Sequence, residues 1–480
     1  MSNRLRHFFF SGLAVSVLSV TGCSTSSVFT SYTATMSPLI DGLKARKFDY
    51  ALKALNKYRN SNDKILYLLE RGRIAQIKDD LEVSMMDYAA TIEAVRDREE
   101  KAIISVSDVG AQTSTFFTND NTIPYKGDGY EKVFLYQFQA FNYLAKKDIE
   151  GAGVEVRRAN LEQHLALEMH EKEVRKAEEK ARQKSIETEQ AYANLNAAYR
   201  TMDDIAGKVK NSFQNAYTFY LSGIVYELLN QPNDAYIDYK KAIEIFPDNT
   251  YLQRDVIRMA KELGMNQELN EYTSRYAAIR AEVENGGGDT NTGELIVLFE
   301  NGFVPQKREI KVPIPTPNGF LAVAFPVYTA KLPDVEPLAL SEPDRKDDLD
   351  ETEPLCYVQA LAVKSLKEKV PGMVVRHLLR SAAKTAFQYQ AKDSAGIAGT
   401  ILSSLYNVIS ERADLRSWLT LPRDVQIMRN HLSAGIHHLH LEHKASGAFS
   451  DVDVSVNQNG KTILRVIRTG SVLYTTAITF

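Results

Sequence analysis

The chain is short of cysteine, with only Cys23 and Cys356 in 480 residues, so no disulfide framework can hold its fold together. Charge of one sign is also lacking. A formal net charge of −3 argues against nucleic-acid binding as a bulk property. No apolar run reaches the ~20 residues needed to span a bilayer as a helix, the longest being the short stretch from Phe8 to Leu18. Catalytic signatures are missing too. No G-x-S-x-G elbow occurs, and neither cysteine has a catalytic setting. His164, Glu168 and His170 fail the H-E-x-x-H order that sets two imidazoles one helical turn apart. Asn459-Gly460-Lys461-Thr462 looks like the end of a phosphate loop, but Ser455 stands where the first glycine belongs and strands flank it. What remains, 44% apolar and 25% charged, is ordinary globular protein with room for two or three domains.

The first residues carry an address. Arg4, Arg6 and His7 form a basic region, Phe8 to Leu18 an apolar one, and Val20-Thr21-Gly22-Cys23 a small-residue cleavage site. This tetrapeptide resembles the bacterial lipobox. The resemblance implies that residues 1–22 are a signal peptide and that Cys23 is lipidated and becomes the mature N-terminus. It also implies that Ser24 beside it directs the chain to the outer membrane, where the protein is expected to face the periplasm. Several acyl chains on Cys23 would anchor it firmly. Cys356 then has no partner and reads as a buried thiol. Residues 23–36, rich in Ser and Thr, read as a tether.

Ala216 to Asn249 shows the clearest internal order. Gly223 and Tyr226 fall on one helix pattern and Ala235, Tyr239 and Ala242 on the next, with Gln231-Pro232-Asn233-Asp234 as the turn and Pro247 as terminator. This stretch resembles a tetratricopeptide repeat, in which small residues let two antiparallel helices approach while aromatics fill the groove between pairs. The same register returns at Leu68, Gly72, Ala75, Ser84, Tyr88 and Thr91, and at Tyr136, Ala140, Tyr143, Ala152, Val156 and Ala159. Weaker copies stand at Phe48 to Tyr58 and from Ile257 to Tyr276, giving an all-α array over 37–283 with three clear repeats and a degenerate one at each end.

Two insertions interrupt the array. Residues 98–130 read as a polar loop ending in Tyr125 and Tyr130, a candidate recognition element. Residues 167–215 read as helical, first a solvated helix with Glu168/Lys172, Glu171/Arg175 and Glu178/Arg182 pairs, then an arm with Leu195, Tyr199, Met202, Ile205 and Val209 on one stripe. Residues 284–293, ENGGGDTNTG, read as a linker.

Over 294–480 the period changes. Strands are expected at 294–299, 309–312 and 319–328, a solvated mobile loop over the acidic run 342–353, helices at 355–369, 371–390 and 394–412, and strands at 425–431, 435–443, 452–457, 462–469 and 472–480. Asn459-Gly460 is a type I′ hairpin signal. The fold class is therefore α+β, a tetratricopeptide-like solenoid followed by a mixed domain that ends in antiparallel strands.

The order of lipobox, repeats and α+β domain resembles an uncharacterised family of bacterial outer-membrane lipoproteins, most specifically in the stretches 129–159 and 413–427. The resemblance implies architecture and compartment and no reaction.

Within 413–427, Arg416 and Trp418, the only tryptophan, form a candidate recognition patch, against the alternative that Asp414 pairs with Arg416 while Trp418 closes the core. His437, His438, His440 and His443 crowd one strand. His438, His440 and Glu442 share a face that could chelate a metal, or that is simply its polar outer side with Leu439 and Leu441 inward.

The expected function is a lipid-anchored interaction scaffold with protein partners in the cell envelope. No catalytic residue, cofactor, metal, nucleic acid or small-molecule substrate is implied. The rival is a cell-wall-modifying enzyme, or its activator, using acids such as Glu300, Glu309, Asp414 and Asp424, although no spacing singles out a pair.

Overall fold

The computed structural model describes residues 32–105, 121, 123–183, 195–197, 199–277, 279, 291–316, 319–343, 347–378 and 412–480. Cys23 and the signal region lie outside them, as do most of the first insertion and all of the expected helix over 394–412 but its last residue, Arg412.

Among the described residues, five antiparallel helix pairs make up the N-terminal half. They are α1 (Tyr32–Lys44) with α2 (Phe48–Asn56), α3 (Lys64–Ile77) with α4 (Leu81–Ser105), and α5 (Gly129–Ala145) with α6 (Ile149–Gln183). After the short helix α7 (Asp203–Ala206) come α8 (Ala216–Leu228) with α9 (Pro232–Ile245), and α10 (Thr250–Glu262) with α11 (Asn266–Arg275). Every pair turns the same way. A left-handed residue ends the first helix: Arg46 (φ 58°), Asp79 (68°), Lys147 (58°), Asn230 (56°) or Gly264 (67°).

The next amide then reaches back across the last turn, as Lys47 N does to Gly42 O, Asp80 N to Ala75 O, Asp148 N to Tyr143 O, Gln231 N to Tyr226 O and Met265 N to Ala260 O, all at 2.8–2.9 Å. This bond satisfies a carbonyl that the helix end would orphan, and it fixes the angle at which the second helix leaves. The turn therefore defines five repeats, including the two whose side-chain pattern is weak.

Close approach within a pair is set by glycine against tyrosine. A Cβ added at Gly223 would lie 2.5 Å from the Tyr239 ring, and one at Gly72 would lie 2.7 Å from that of Tyr88. At the same register the third pair has Ala140 and Val156, both buried, a larger residue facing a smaller one.

The C-terminal half is β-rich. One sheet has the order β11-β10-β1-β7-β6, a second β5-β4-β8-β9, and β2 pairs with β3 alone. The strands are β1 (Thr292–Asn301), β2 (Arg308–Thr316), β3 (Gly319–Val327), β4 (Ala339–Glu342), β5 (Asp347–Glu351), β6 (Glu353–Cys356), β7 (Asp424–Ser433), β8 (Gly435–His443), β9 (Ala448–Val456), β10 (Lys461–Thr469) and β11 (Val472–Thr479). All pairings are antiparallel except β1 with β10. Helix α12 (Val358–Glu368) follows β6.

Partners across a ladder share a face, so Glu294, Ile296, Leu298 and Glu300 of β1 lie with Arg429 of β7 and Lys461 and Arg465 of β10. That face meets the helical array, through ion pairs such as Arg73–Glu300 and Arg429–Glu227. The opposite face of the same sheet, with Phe299 and Gln426, meets the second sheet, where the Phe299 and His443 rings lie 5.7 Å apart. The molecule is thus layered as helices, five-stranded sheet, four-stranded sheet.

Several expectations are corrected. The tether ends earlier than residue 36, because α1 begins at Tyr32, and Tyr32 and Met36 are buried. The linker ends earlier too, with Thr292 and Gly293 in β1. α6 continues unbroken from its repeat to Gln183, so the expected boundary at 167 is invisible in the backbone. The acidic run contributes to strands β4, β5 and β6, and Glu353 binds the first turn of α10 through Thr250 N and Oγ1, both at 2.6 Å. Asn459-Gly460 closes no hairpin, since β9 and β10 belong to different sheets. Its backbone is stitched to β1 instead, Asn459 N donating to Thr292 O at 2.8 Å and Glu294 N to Gly460 O at 2.9 Å.

Gly223→Leu should lower the melting temperature and cost on the order of 1–3 kcal/mol by overpacking. Tyr239 cannot swing aside freely, because its hydroxyl bonds Glu227 and accepts from Arg429. Gly223→Ala combined with Tyr239→Leu should recover part of the loss of Gly223→Ala alone, and equal melting of the double and single variants would refute the steric account.

Candidate functional site

Residues 412–422 form no helix or ladder strand. They run between the first helices of the array and the sheet, where three carboxylates receive them. Asp63, just before α3, binds Arg416 Nη1 at 2.6 Å. Glu131 in the first turn of α5 accepts Trp418 N at 2.7 Å. Glu70 on α3 accepts Leu419 N at 2.6 Å and both the amide (3.1 Å) and hydroxyl (2.6 Å) of Thr420, and it is also bonded by the Tyr32 hydroxyl. Lys307 Nζ holds the Arg416 carbonyl at 2.9 Å. The Trp418 indole lies edge-on to Tyr88 and Phe138 and donates to Thr420 Oγ1.

All four candidate recognition residues sit here and are buried: Tyr125, Tyr130, Arg416 and Trp418. Tyr125 bonds Glu131, and its amide donates to Asp63 at 3.0 Å. Tyr130 reaches Glu131 at 3.4 Å. Arg416 is held by Asp63, Asp414 and the Ile123 carbonyl. The end of the first insertion is therefore pinned inside the molecule, and these side chains join its two halves rather than form an exposed patch.

Burial shapes the acids. It pushes the Glu70 carboxyl up to about 7, against the pull of its hydrogen-bond donors. It also raises Glu131, helped by the neighbouring Asp128 charge. Asp128 goes the other way, because Lys369 and Lys307 together with the Ser365 hydroxyl outweigh its burial.

Two ion clusters extend the contact across the sheet. In the first, Glu300 pairs with Arg73 of α3 and with Arg465 of β10 at 2.8 Å, and accepts the Tyr217 hydroxyl at 2.8 Å. Arg73 lies over Phe138 at 4.3 Å and Arg465 over Phe141 at 4.1 Å. Burial would raise Glu300, but the two guanidinium groups hold it below the ordinary carboxylate value. In the second, Arg429, Arg258 and Lys461 face Glu227, Asp255 and Glu294, a balanced set drawn from α8, α10, β1, β7 and β10.

The other candidates are placed as follows. Glu309 accepts the Ala413 amide at 2.9 Å, Asp414 pairs with Arg416, and Asp424 is buried among Arg423, Asn301 and Gln426. Along β8, His438 and His440 face outward against Asp453 (2.6 Å) and Asp451 (2.7 Å), while His437, Leu439, Leu441 and His443 point inward. Among the described residues no three His, Cys, Asp or Glu side chains converge as a metal site. Cys356 is a free buried thiol, and burial pushes its pKa up.

Sequence reasoning missed Glu70, Arg73, Glu131, Glu227, Arg429 and Arg465. A signal existed in α3. Its residues 65–70 and 72–77 are buried on every side, and a helix buried all round that carries Glu70 and Arg73 must pair them with something outside itself.

Removing Glu300 leaves two guanidinium groups facing each other, whereas removing Arg465 leaves a matched Arg73–Glu300 pair. Glu300→Gln should therefore cost on the order of 3–5 kcal/mol in denaturant unfolding, and Arg465→Met less. The reverse order would contradict the assignment of the cluster's charge.

Glu70 adds a pH dependence. Its folded carboxyl keeps a proton over a range where the unfolded one, near 4.5, has lost it. The resulting stabilisation is complete below pH 4.5 and lost as pH rises through about 7, on the order of 3 kcal/mol in all. The stability difference between wild type and Glu70→Gln should shrink by that amount between pH 4.5 and 8, and a flat difference would reject the shifted carboxyl.

No family model matches the chain, and no curated protein matches it. Among solved structures it is similar to a crystal structure of MamA protein, at 13% identity over 53% of this chain and 94% of that one, with a TM-score of 0.27. It is also similar to the TPR2AB domain of yeast Sti1 in its pHSP90 complex, at 18% identity over 52% of this chain and 94% of that one, with a TM-score of 0.19. Overlaps this loose carry no argument, and the repeat array rests on its five turns.

Proposed function

We propose that the chain is a lipid-anchored interaction scaffold of the bacterial cell envelope, held to the outer membrane on its periplasmic side through Cys23, and that it meets protein partners with the second helices of its repeats. The observation that carries this reading is a row of exposed apolar side chains. Met86, Val154 and Ile237 are 57%, 41% and 48% exposed. Each stands seven residues beyond the left-handed turn residue of its own pair, Asp79, Lys147 or Asn230. Equivalent positions of stacked repeats share one face, so the three align across the second, third and fourth pairs.

The first helices are otherwise engaged, since their charged side chains hold residues 412–422 and the sheet. Partner binding is therefore assigned to the second helices. The enzyme alternative is disfavoured because Glu300, Glu309, Asp414 and Asp424 are each consumed by internal bonds. Membrane attachment is supported by the lipobox resemblance at Val20-Thr21-Gly22-Cys23.

Met86→Glu combined with Ile237→Glu should change stability by no more than about 1 kcal/mol, as exposed substitutions do. The same variant should lose the partner that wild type captures by cross-linking in intact cells. Retention of that partner would move binding off this row. In parallel, Cys23→Ser should abolish fatty-acid labelling and membrane attachment, and continued labelling would overturn the anchor.

A further inference from the structure

The first helix pair carries a local excess of positive charge. Lys44, Arg46, Lys47, Lys53 and Lys57 are all exposed, in a chain whose net charge is −3. The acids beside them are Asp41, which pairs with Lys44 at 2.7 Å, and Asp49, which pairs with Lys78 of the next repeat at 2.7 Å. Arg46, Lys47, Lys53 and Lys57 remain in excess. The Arg46 guanidinium lies 5.7 Å from the Tyr474 ring and the Lys57 ammonium 4.8 Å from that of Tyr58, contacts that steady the side chains without neutralising them. The next turn, Lys78-Asp79-Asp80, has the opposite balance, which confines the patch to α1 and α2. Tyr50 is 60% exposed and shares a stripe with Lys53 of α2 and with Lys57, the helical residue that caps it, at i, i+3 and i+7.

We infer that this pair rests on an anionic phospholipid surface, with Tyr50 at headgroup depth and the basic side chains around it. Two arguments select this occupant. Cationic side chains flanking an amphipathic aromatic suit the membrane interface, where each lysine or arginine adds roughly fivefold in affinity for anionic lipid. Position supplies the other. Only residues 24–31 separate Cys23 from the start of α1, a reach of about 30 Å when fully extended. An acylated Cys23 would therefore hold α1 and α2 near the bilayer, and this proximity argument rests on the anchor proposed above. The charge argument does not.

The test uses the unacylated chain from Ser24 to Phe480, which keeps every described residue, with vesicles of phosphatidylglycerol and phosphatidylcholine or of phosphatidylcholine alone. The chain should bind the anionic vesicles, release at high salt, and bind the neutral ones weakly. Lys53→Glu with Lys57→Glu reverses two charges and should weaken binding on the order of 10²-fold or more. Should that variant melt early, Lys53→Gln with Lys57→Gln should still lose roughly 25-fold. Binding to anionic vesicles that is absent, or that both pairs of substitutions leave unchanged, would overturn the surface. Fatty-acid labelling of Cys23 in cells separates the two claims. Labelling without vesicle binding keeps the anchor and rejects the surface, and vesicle binding that depends on Lys53 and Lys57 without labelling does the reverse.

Discussion

Glu300 lies at the point where the helical array, the five-stranded sheet and two arginines meet, and it is buried with both of them. A charge removed from water needs a partner, because the effective penalty is several kcal/mol per ion. Arg73 comes from α3, whereas Arg465 of β10 belongs to the same half as Glu300, so it is the array's buried Arg73 that finds its formal counter-charge only across the interface. The interface is accordingly part of the folding unit. A surface assembled from two finished domains would place most of its charges at a wet rim. Here Glu70, Arg73, Glu131 and Glu300 are all in the interior.

The two clusters differ in a way that matters for specificity. The one around Arg429 balances three cations with three anions and draws on five elements, so its members constrain one another's positions. The one around Glu300 has two cations for one anion. Its excess is met by the π faces of Phe138 and Phe141, contacts that attract a guanidinium without supplying a formal charge. The first cluster fixes the register of the sheet against α8 and α10. The second joins the array to the sheet at α3, where Glu70 also grips Leu419 and Thr420.

The repeats were legible because their cause is local. Gly223 and Tyr239 lie in one helical hairpin, and the steric need that links them leaves a mark at fixed spacing. The end repeats read only as degenerate copies, because their side-chain pattern is weak and the left-handed residue that closes the turn is, at Arg46, a side chain with no turn signature of its own. Most strands were legible as strands from their apolar and alternating runs, but β4, β5 and β6, in and beside the acidic run, were not. Strand partners were not legible either: Asn459-Gly460 has the chemistry of a hairpin, yet Thr292 from the far end of the domain takes its amide. The stretch around Arg416 and Trp418 was recognised as special without its reason, because the carboxylates that explain it lie nearly three hundred residues or more upstream.

That geometry also decides which face of the array can serve partners. Trp418, Leu419 and Thr420 present three successive amides, and two glutamates accept all three, which a straight strand cannot arrange because its amides alternate sides. The chain turns at 419–420 to make it possible. Glu70 and Glu131 thus hold a peptide segment in the manner of a ligand, but the segment belongs to the same chain and is tied at both ends, by Glu309 at Ala413 and by Val304, whose amide donates to the Leu421 carbonyl. An external peptide would have to replace these bonds together with the Trp418 packing in one step. Competition on that face is therefore far costlier than binding to side chains such as Met86 and Ile237, which face solvent and require nothing to be displaced.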